Sequence, residues 1–142
     1  MKSIPSWPLK SGRRLALTFL LGGFALAGCS NAASTVDAVS LETARAELEA
    51  GRAVLIDIRE PSEHATGVAA GARLLPMRQI KTRQAEIPAE ANQPVLLICK
   101  TQNRSSATLR ALRERGYGNV RYVNGGMSEW ARRGWPMVKP GG

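Results

Sequence analysis

Short apolar runs bounded by turn residues recur along the chain: Ala53-Val54-Leu55-Ile56-Asp57-Ile58, Val95-Leu96-Leu97-Ile98 and Val120-Arg121-Tyr122-Val123. Runs this brief predict strands, and Val95-Leu96-Leu97-Ile98, apolar throughout, predicts one covered on both faces of its sheet. Val36 to Val39 reads as a short first strand, and Gly67 to Ala72 as a loop leading to Arg73-Leu74-Leu75-Pro76. Helical signals fill the intervals. Ser40 caps a helix from Leu41 to Ala50, with Glu42 in its first turn and Gly51 at its end. Pro61-Ser62-Glu63-His64 opens a short helical turn, and Met77 to Ala85 reads as a helix. Pro88 and Pro94 bracket a polar connection into the next strand. A further helix starts at Arg104 or Ser105, with Ala107, Ala111 and Leu112 on one face and Gly116 as its stop. Asn124-Gly125-Gly126 turns into a last helix that ends near Gly134. Strands alternating with helices predict an α/β domain whose mostly parallel central sheet is flanked by helices.

The front of the chain does not fit this pattern. Lys2, Lys10, Arg13 and Arg14 precede an apolar segment from Leu15 to Ala27, with no acidic residue among them. A basic start, a short apolar core and small residues at a cleavage point predict an export signal over residues 1–28. The alternative is an uncleaved anchor, but spanning a bilayer takes about 20 apolar residues. Leu26-Ala27-Gly28-Cys29 resembles the lipobox of bacterial lipoproteins. That resemblance implies cleavage before Cys29, a diacylglyceryl group on its sulfur and a protein tethered to a membrane of the bacterial envelope, facing the periplasm. Ser30 is the kind of residue that follows the lipidated position in lipoproteins sorted to the outer membrane. Arg13-Arg14 hints at twin-arginine export, but Gly12 and Leu15-Ala16-Leu17 fit that motif poorly, so the general secretory route is expected. Residues 29–38 then form the lipidated N-terminus and a short tether, and residues 39–140 the domain.

Removing the signal changes the charge. The whole chain carries 20 Lys and Arg against 11 Asp and Glu, a formal charge of +9. Without the four basic residues of the signal the balance is 16 to 11, or +5 with His neutral. Basic and acidic residues are interspersed, and no Lys/Arg run is interleaved with aromatics, so a nucleic-acid partner is not expected. A mild positive field favours a small anionic substrate. With Cys29 lipidated, Cys99 is the one free thiol, and His64 is the sole histidine. No disulfide, metal site or cofactor is predicted.

The candidate chemistry lies at Cys99, at the C-terminal end of a strand and before the polar turn Lys100-Thr101-Gln102-Asn103 and the helix from Arg104-Ser105. Backbone N–H groups of such a loop and of the first helical turn converge on the sulfur and form an anion-binding cup. A helix N-terminus with Lys100 and Arg104 beside it favours the thiolate, the reactive form of cysteine. The plainer reading makes Cys99 a small apolar residue at a strand end.

Three segments together resemble the rhodanese family of sulfurtransferases. They are Asp57-Ile58-Arg59-Glu60-Pro61-Ser62-Glu63 with Gly67, Gly71-Ala72 and Leu75-Pro76; the loop Cys99-Lys100-Thr101-Gln102-Asn103-Arg104-Ser105; and Asn124-Gly125-Gly126 with Trp130, Gly134 and Pro136. Within the family the chain resembles the small exported one-domain type, that of phage shock protein E. Four residues separate Cys99 from Arg104, as in sulfur-transferring rhodaneses, whereas related phosphatases and arsenate reductases have five. The resemblance implies that Cys99 takes the sulfane sulfur of thiosulfate or a persulfide donor, holds it as a persulfide, and yields it to cyanide or a thiol. It assigns Lys100, Thr101, Gln102, Asn103, Arg104 and Ser105 to the substrate loop; Asp57, Arg59 and Glu63, by their place at the end of their strand, are read as its support, with Arg59 and Glu63 able to pair across their turn. His64, Trp130 and Trp135 are read as packing or surface residues. Val68 stands where the family usually has histidine, and Gln102 where many such loops have a glycine able to adopt positive φ. These two departures leave open a catalytically inactive module that binds a partner at the membrane; a small phosphatase or arsenate reductase is the third reading. A monomer is expected.

Overall fold

The computed structural model describes residues 37–140. The expected export signal, Cys29 and the expected tether up to residue 36 lie outside the described residues. From Asp37 onward the chain runs β1 (Ala38–Val39), α1 (Leu41–Glu49), β2 (Val54–Asp57), α2 (Pro61–His64), β3 (Val68–Ala69) and β4 (Arg73–Leu74). It continues with α3 (Ile80–Arg83), β5 (Val95–Ile98), α4 (Asn103–Arg113), β6 (Val120–Val123), α5 (Gly126–Arg132) and β7 (Met137–Val138).

Five strands form one parallel sheet in the order β1-β6-β5-β2-β4. β5 lies at its centre, with Leu96 paired to Leu55 on one side and to Arg121 on the other. All four β5 residues are fully buried, as an uninterrupted apolar run requires. Alternation along β5 divides the core. Leu96 and Ile98 face Leu41, Ala44, Met127 and Trp130 from α1 and α5, whereas Val95, Leu97 and Cys99 face Ile80, Leu109 and Leu112 from α3 and α4. Period-two geometry thereby puts Cys99 on the α4 side of the sheet.

Ser40 caps α1 as expected, its Oγ accepting from the Thr43 N–H at 3.1 Å. Three local expectations need correction. The buried face of α4 is Ser105, Thr108, Leu109 and Leu112, while Ala107 and Ala111 are exposed. The two leucines, with far more area to bury than the alanines, set the helix's rotation. Residues 77–86 form two 3₁₀ turns around the short α3, because Ile80 is the one side chain buried there and a single anchor does not hold an α-helical stripe. The loop before β4 contains β3, which pairs antiparallel with β7 through Val68–Val138 and Ala69–Met137.

Candidate active site

The parallel strands all point their C-terminal ends at one edge, where an open α/β sheet gathers its ligand-binding loops. Asp57 is paired with Ile98, so the loop after β2 and the Cys99 loop after β5 lie side by side. The third loop there leads from β6 into α5.

Cys99 is 1% exposed, and its Sγ lies 3.5 Å from Ser105 Oγ. That hydroxyl also donates to the Gln102 carbonyl at 3.1 Å, bracing the loop against the first turn of α4. Among the described residues, none of the backbone N–H groups from Lys100 to Ser105 donates to a protein acceptor. A run of uncommitted N–H groups at a helix N-terminus is equipped to hold an anion.

The loop is held from outside by α5. Met127 N–H donates to the Cys99 carbonyl at 2.8 Å and Ser128 N–H to the Lys100 carbonyl at 2.9 Å. Two otherwise orphaned donors of the helix thus grip the peptides on the C-terminal side of Cys99. Gly126, at φ +59°, makes this approach feasible: a Cβ there would lie 2.1 Å from the Thr101 carbonyl oxygen. Sequence reasoning placed Gly126 in a turn but missed this contact. Gln102 differs from its expectation as well. Its φ is −151°, so no left-handed conformation is required, and its Oε1 accepts from the Gly125 N–H at 3.1 Å. Its side chain thereby ties the loop to α5. Val68, the other departure, is a buried residue of β3.

The supporting carboxylates and guanidiniums pair differently from the expected Arg59–Glu63 contact. Arg59 donates to Asp57, with Nη2 to Oδ2 at 2.6 Å, and reaches the Gly67 carbonyl at 2.8 Å and the Glu63 carbonyl at 3.3 Å. Asp57 and Arg59 are both buried, and this pair pins the chain around α2. The Glu63 carboxylate instead clasps Arg104 with two bonds of 2.7 Å, while its Oε2 also accepts from the Glu60 N–H. A planar fork against a carboxylate fixes geometry as well as charge, so α2 is fastened to the first turn of α4. His64 is a buried packing residue. Its Nε2 sits 3.5 Å from Asp57 Oδ1 without completing a hydrogen bond.

Hydrogen bonding from Arg104 outweighs partial burial and lowers the Glu63 pKa from 4.5 to about 2. A depressed carboxylate stabilises the fold above its unfolded pKa and stops doing so as pH falls through the folded value. Glu63→Gln should therefore cost about 1–2 kcal/mol at pH 7, after discounting for solvent screening. The difference from wild type should hold down to about pH 5 and vanish near pH 2. Urea denaturation of both proteins across that range checks it; a difference independent of pH would detach the effect from the carboxylate's charge.

The family model for the rhodanese-like domain matches residues 40–133, which include the loop and all its supports. The chain belongs to the rhodanese family. This rhodanese is 38% identical over 107 residues to a sulfurtransferase of Allochromatium vinosum, covering 75% of this chain and 96% of the relative. Among solved structures, the human single-domain sulfurtransferase TSTD1 superposes with a TM-score of 0.61 at 26% identity, over 68% of this chain and 96% of that one. A rhodanese-related protein of Thermoplasma volcanium gives a TM-score of 0.63 at 25% identity, over 71% and 96%. Family and relatives together support a rhodanese-type enzyme of the sulfurtransferase class.

Proposed function

We propose that this rhodanese moves a sulfane sulfur from a small anionic donor such as thiosulfate, or from a thiol persulfide, to a thiol or cyanide through a Cys99 persulfide. The observation that carries the reading is the nucleophile's place at the start of a loop whose backbone N–H groups are unspent. Cys99 thiolate attacks the outer sulfur of thiosulfate. A bond forms between Sγ and that sulfur, the donor's S–S bond breaks, and its electron pair leaves with sulfite. The Cys99 persulfide carries the negative charge, which the loop's N–H groups stabilise. Lys100 adds positive charge beside the incoming anion, while Arg104, neutralised by the Glu63 carboxylate, holds the first turn of α4 in place. An acceptor then attacks the outer sulfur and returns Cys99 to the thiolate.

The test is the intact mass of the domain without residues 1–29 after incubation with thiosulfate. A gain of one sulfur atom, about 32 Da, removed again by cyanide or dithiothreitol, is expected. If neither thiosulfate nor a thiol persulfide produces the gain, the reading is wrong.

The same proposal sets the enzyme on a membrane of the bacterial envelope, facing the periplasm, through a lipid on Cys29. The support is Leu26-Ala27-Gly28-Cys29 behind a basic and apolar leader. No helix among the described residues is long and apolar enough to cross a membrane. Metabolic incorporation of a clickable fatty acid into the full chain, lost in Cys29→Ser, is the expected result.

A further inference from the structure

The first turn of α5 has no side-chain cap of its own, because the helix starts at Gly125-Gly126. The Cys99 loop supplies the acceptors instead. Gly125 N–H donates to Gln102 Oε1 at 3.1 Å, beside the bonds from Met127 and Ser128 to the Cys99 and Lys100 carbonyls. These bonds decide where the loop's own donors point. A trans peptide holds its C=O and N–H on opposite sides of the chain, and no peptide bond among the described residues is cis. With the Cys99 and Lys100 carbonyls turned to α5, the uncommitted N–H groups of Lys100 and Thr101 point away from it. α5 packs on the Leu96 and Ile98 side of the sheet, whereas Cys99 belongs to the opposite side. Both N–H groups are therefore directed to the side on which Sγ lies. At Gln102 the arrangement reverses, because its carbonyl accepts from Ser105 Oγ at 3.1 Å and from the Ser106 N–H of α4 at 2.8 Å. The loop passes there from α5 to α4, and the Gln102 side chain is what still fastens the crossing point to α5.

Resting on the sulfur-transfer reading, we infer that Gln102 is a positioning residue: by accepting from the Gly125 N–H it holds the loop against α5 in the arrangement that aims the Lys100 and Thr101 N–H groups at the transferred sulfur. A glycine in this place, as in many loops of the family, has no side chain to make that bond. The effect falls on the step in which negative charge collects on the outer sulfur, since donors that are misaimed stabilise that charge less. The initial attraction of an anionic donor rests on the charge of Lys100 and is left alone.

The experiment follows persulfide formation on the full chain, kept in detergent, by rapid quenching and intact mass across a thiosulfate series, for wild type, Gln102→Met and Gln102→Glu. Met has the length of Gln without its amide acceptor, whereas Glu keeps an acceptor. Gln102 is exposed, so neither substitution disturbs the core. Gln102→Met should lower the plateau rate about fivefold, the worth of one net hydrogen bond, and leave the half-saturating thiosulfate concentration within about twofold of wild type. Gln102→Glu should return the plateau to within about twofold of wild type, while its added charge raises the half-saturating concentration. Hydrogen exchange at the Gly125 amide should be about fivefold faster in Gln102→Met and unchanged in Gln102→Glu. Three results would each overturn the inference while leaving the Cys99 persulfide standing: a Gln102→Met plateau within about twofold of wild type, a Gln102→Glu plateau as low as that of Gln102→Met, or a Gly125 amide that exchanges alike in all three proteins. Absence of any persulfide on the wild type, with thiosulfate and with a thiol persulfide, overturns the sulfur-transfer reading and this inference with it.

Discussion

Cys99→Ser should lower sulfur transfer by at least about 10³-fold while the domain still folds. An alkoxide is scarcely populated at neutral pH, and oxygen in place of sulfur forms no persulfide. The structural cost is small because the site already contains a polar neighbour. Ser105 Oγ lies 3.5 Å from the thiol and directs its own proton to the Gln102 carbonyl, so it can accept a bond from a new hydroxyl. A loss of about 1 kcal/mol is expected. Urea denaturation reads the stability, and intact mass after thiosulfate reads the chemistry. Among the described residues Cys99 is the one cysteine, so a sulfur gain surviving in the variant would remove it from the proposed mechanism.

Gly126→Ala should do nearly as much damage without touching a reacting group. The added Cβ would lie 2.1 Å from the Thr101 oxygen, 2.5 Å from the Cys99 oxygen and 2.7 Å from the Lys100 carbonyl carbon. All three are backbone atoms of the loop, so no side chain can swing aside to relieve the clash. The positive φ adds strain of its own. The loop must retreat or α5 must start later, and either breaks the bonds from Met127 and Ser128 to the Cys99 and Lys100 carbonyls. We expect a loss of about 3–5 kcal/mol and transfer lowered about 10²-fold. Gly118→Ala serves as the control, since nothing lies within 4 Å of a Cβ there. Equal behaviour of the two variants in denaturation and turnover would show that α5 does not seat the loop.

The legible parts of this molecule are those in which cause and effect are close in sequence. A buried strand, a cysteine, a polar turn and a helix are consecutive residues, and their order alone placed Cys99 at the C-terminal edge of the sheet. The cap at Ser40 and the Pro61 turn are local in the same way. What escaped depends on pairings between distant residues. Glu63 and Arg104 are 41 positions apart, and nothing within α2 says that Glu63 turns away from nearby Arg59. The β3–β7 ladder joins two strands of two residues each, too short for a period to show. Gln102 misled for a different reason. Its backbone was judged by the φ a glycine would adopt, whereas the loop reaches its shape at negative φ and uses the amide side chain as a fastener.

The sheet order also bears on how the domain comes into being. Ala38 and Val39 find their sheet partners in Tyr122 and Val123, at the far end of the chain. A polypeptide delivered N-terminus first therefore leaves β1 without a neighbour until nearly all the rest has emerged. Central β5 finds β2 already present but lacks its second neighbour until β6 follows. Such non-local closure is slow and leaves apolar strand edges uncovered in the interval. During synthesis the sheet thus cannot close until the chain's last third arrives, and the cup around Cys99, seated by α5, is among the last features to assemble.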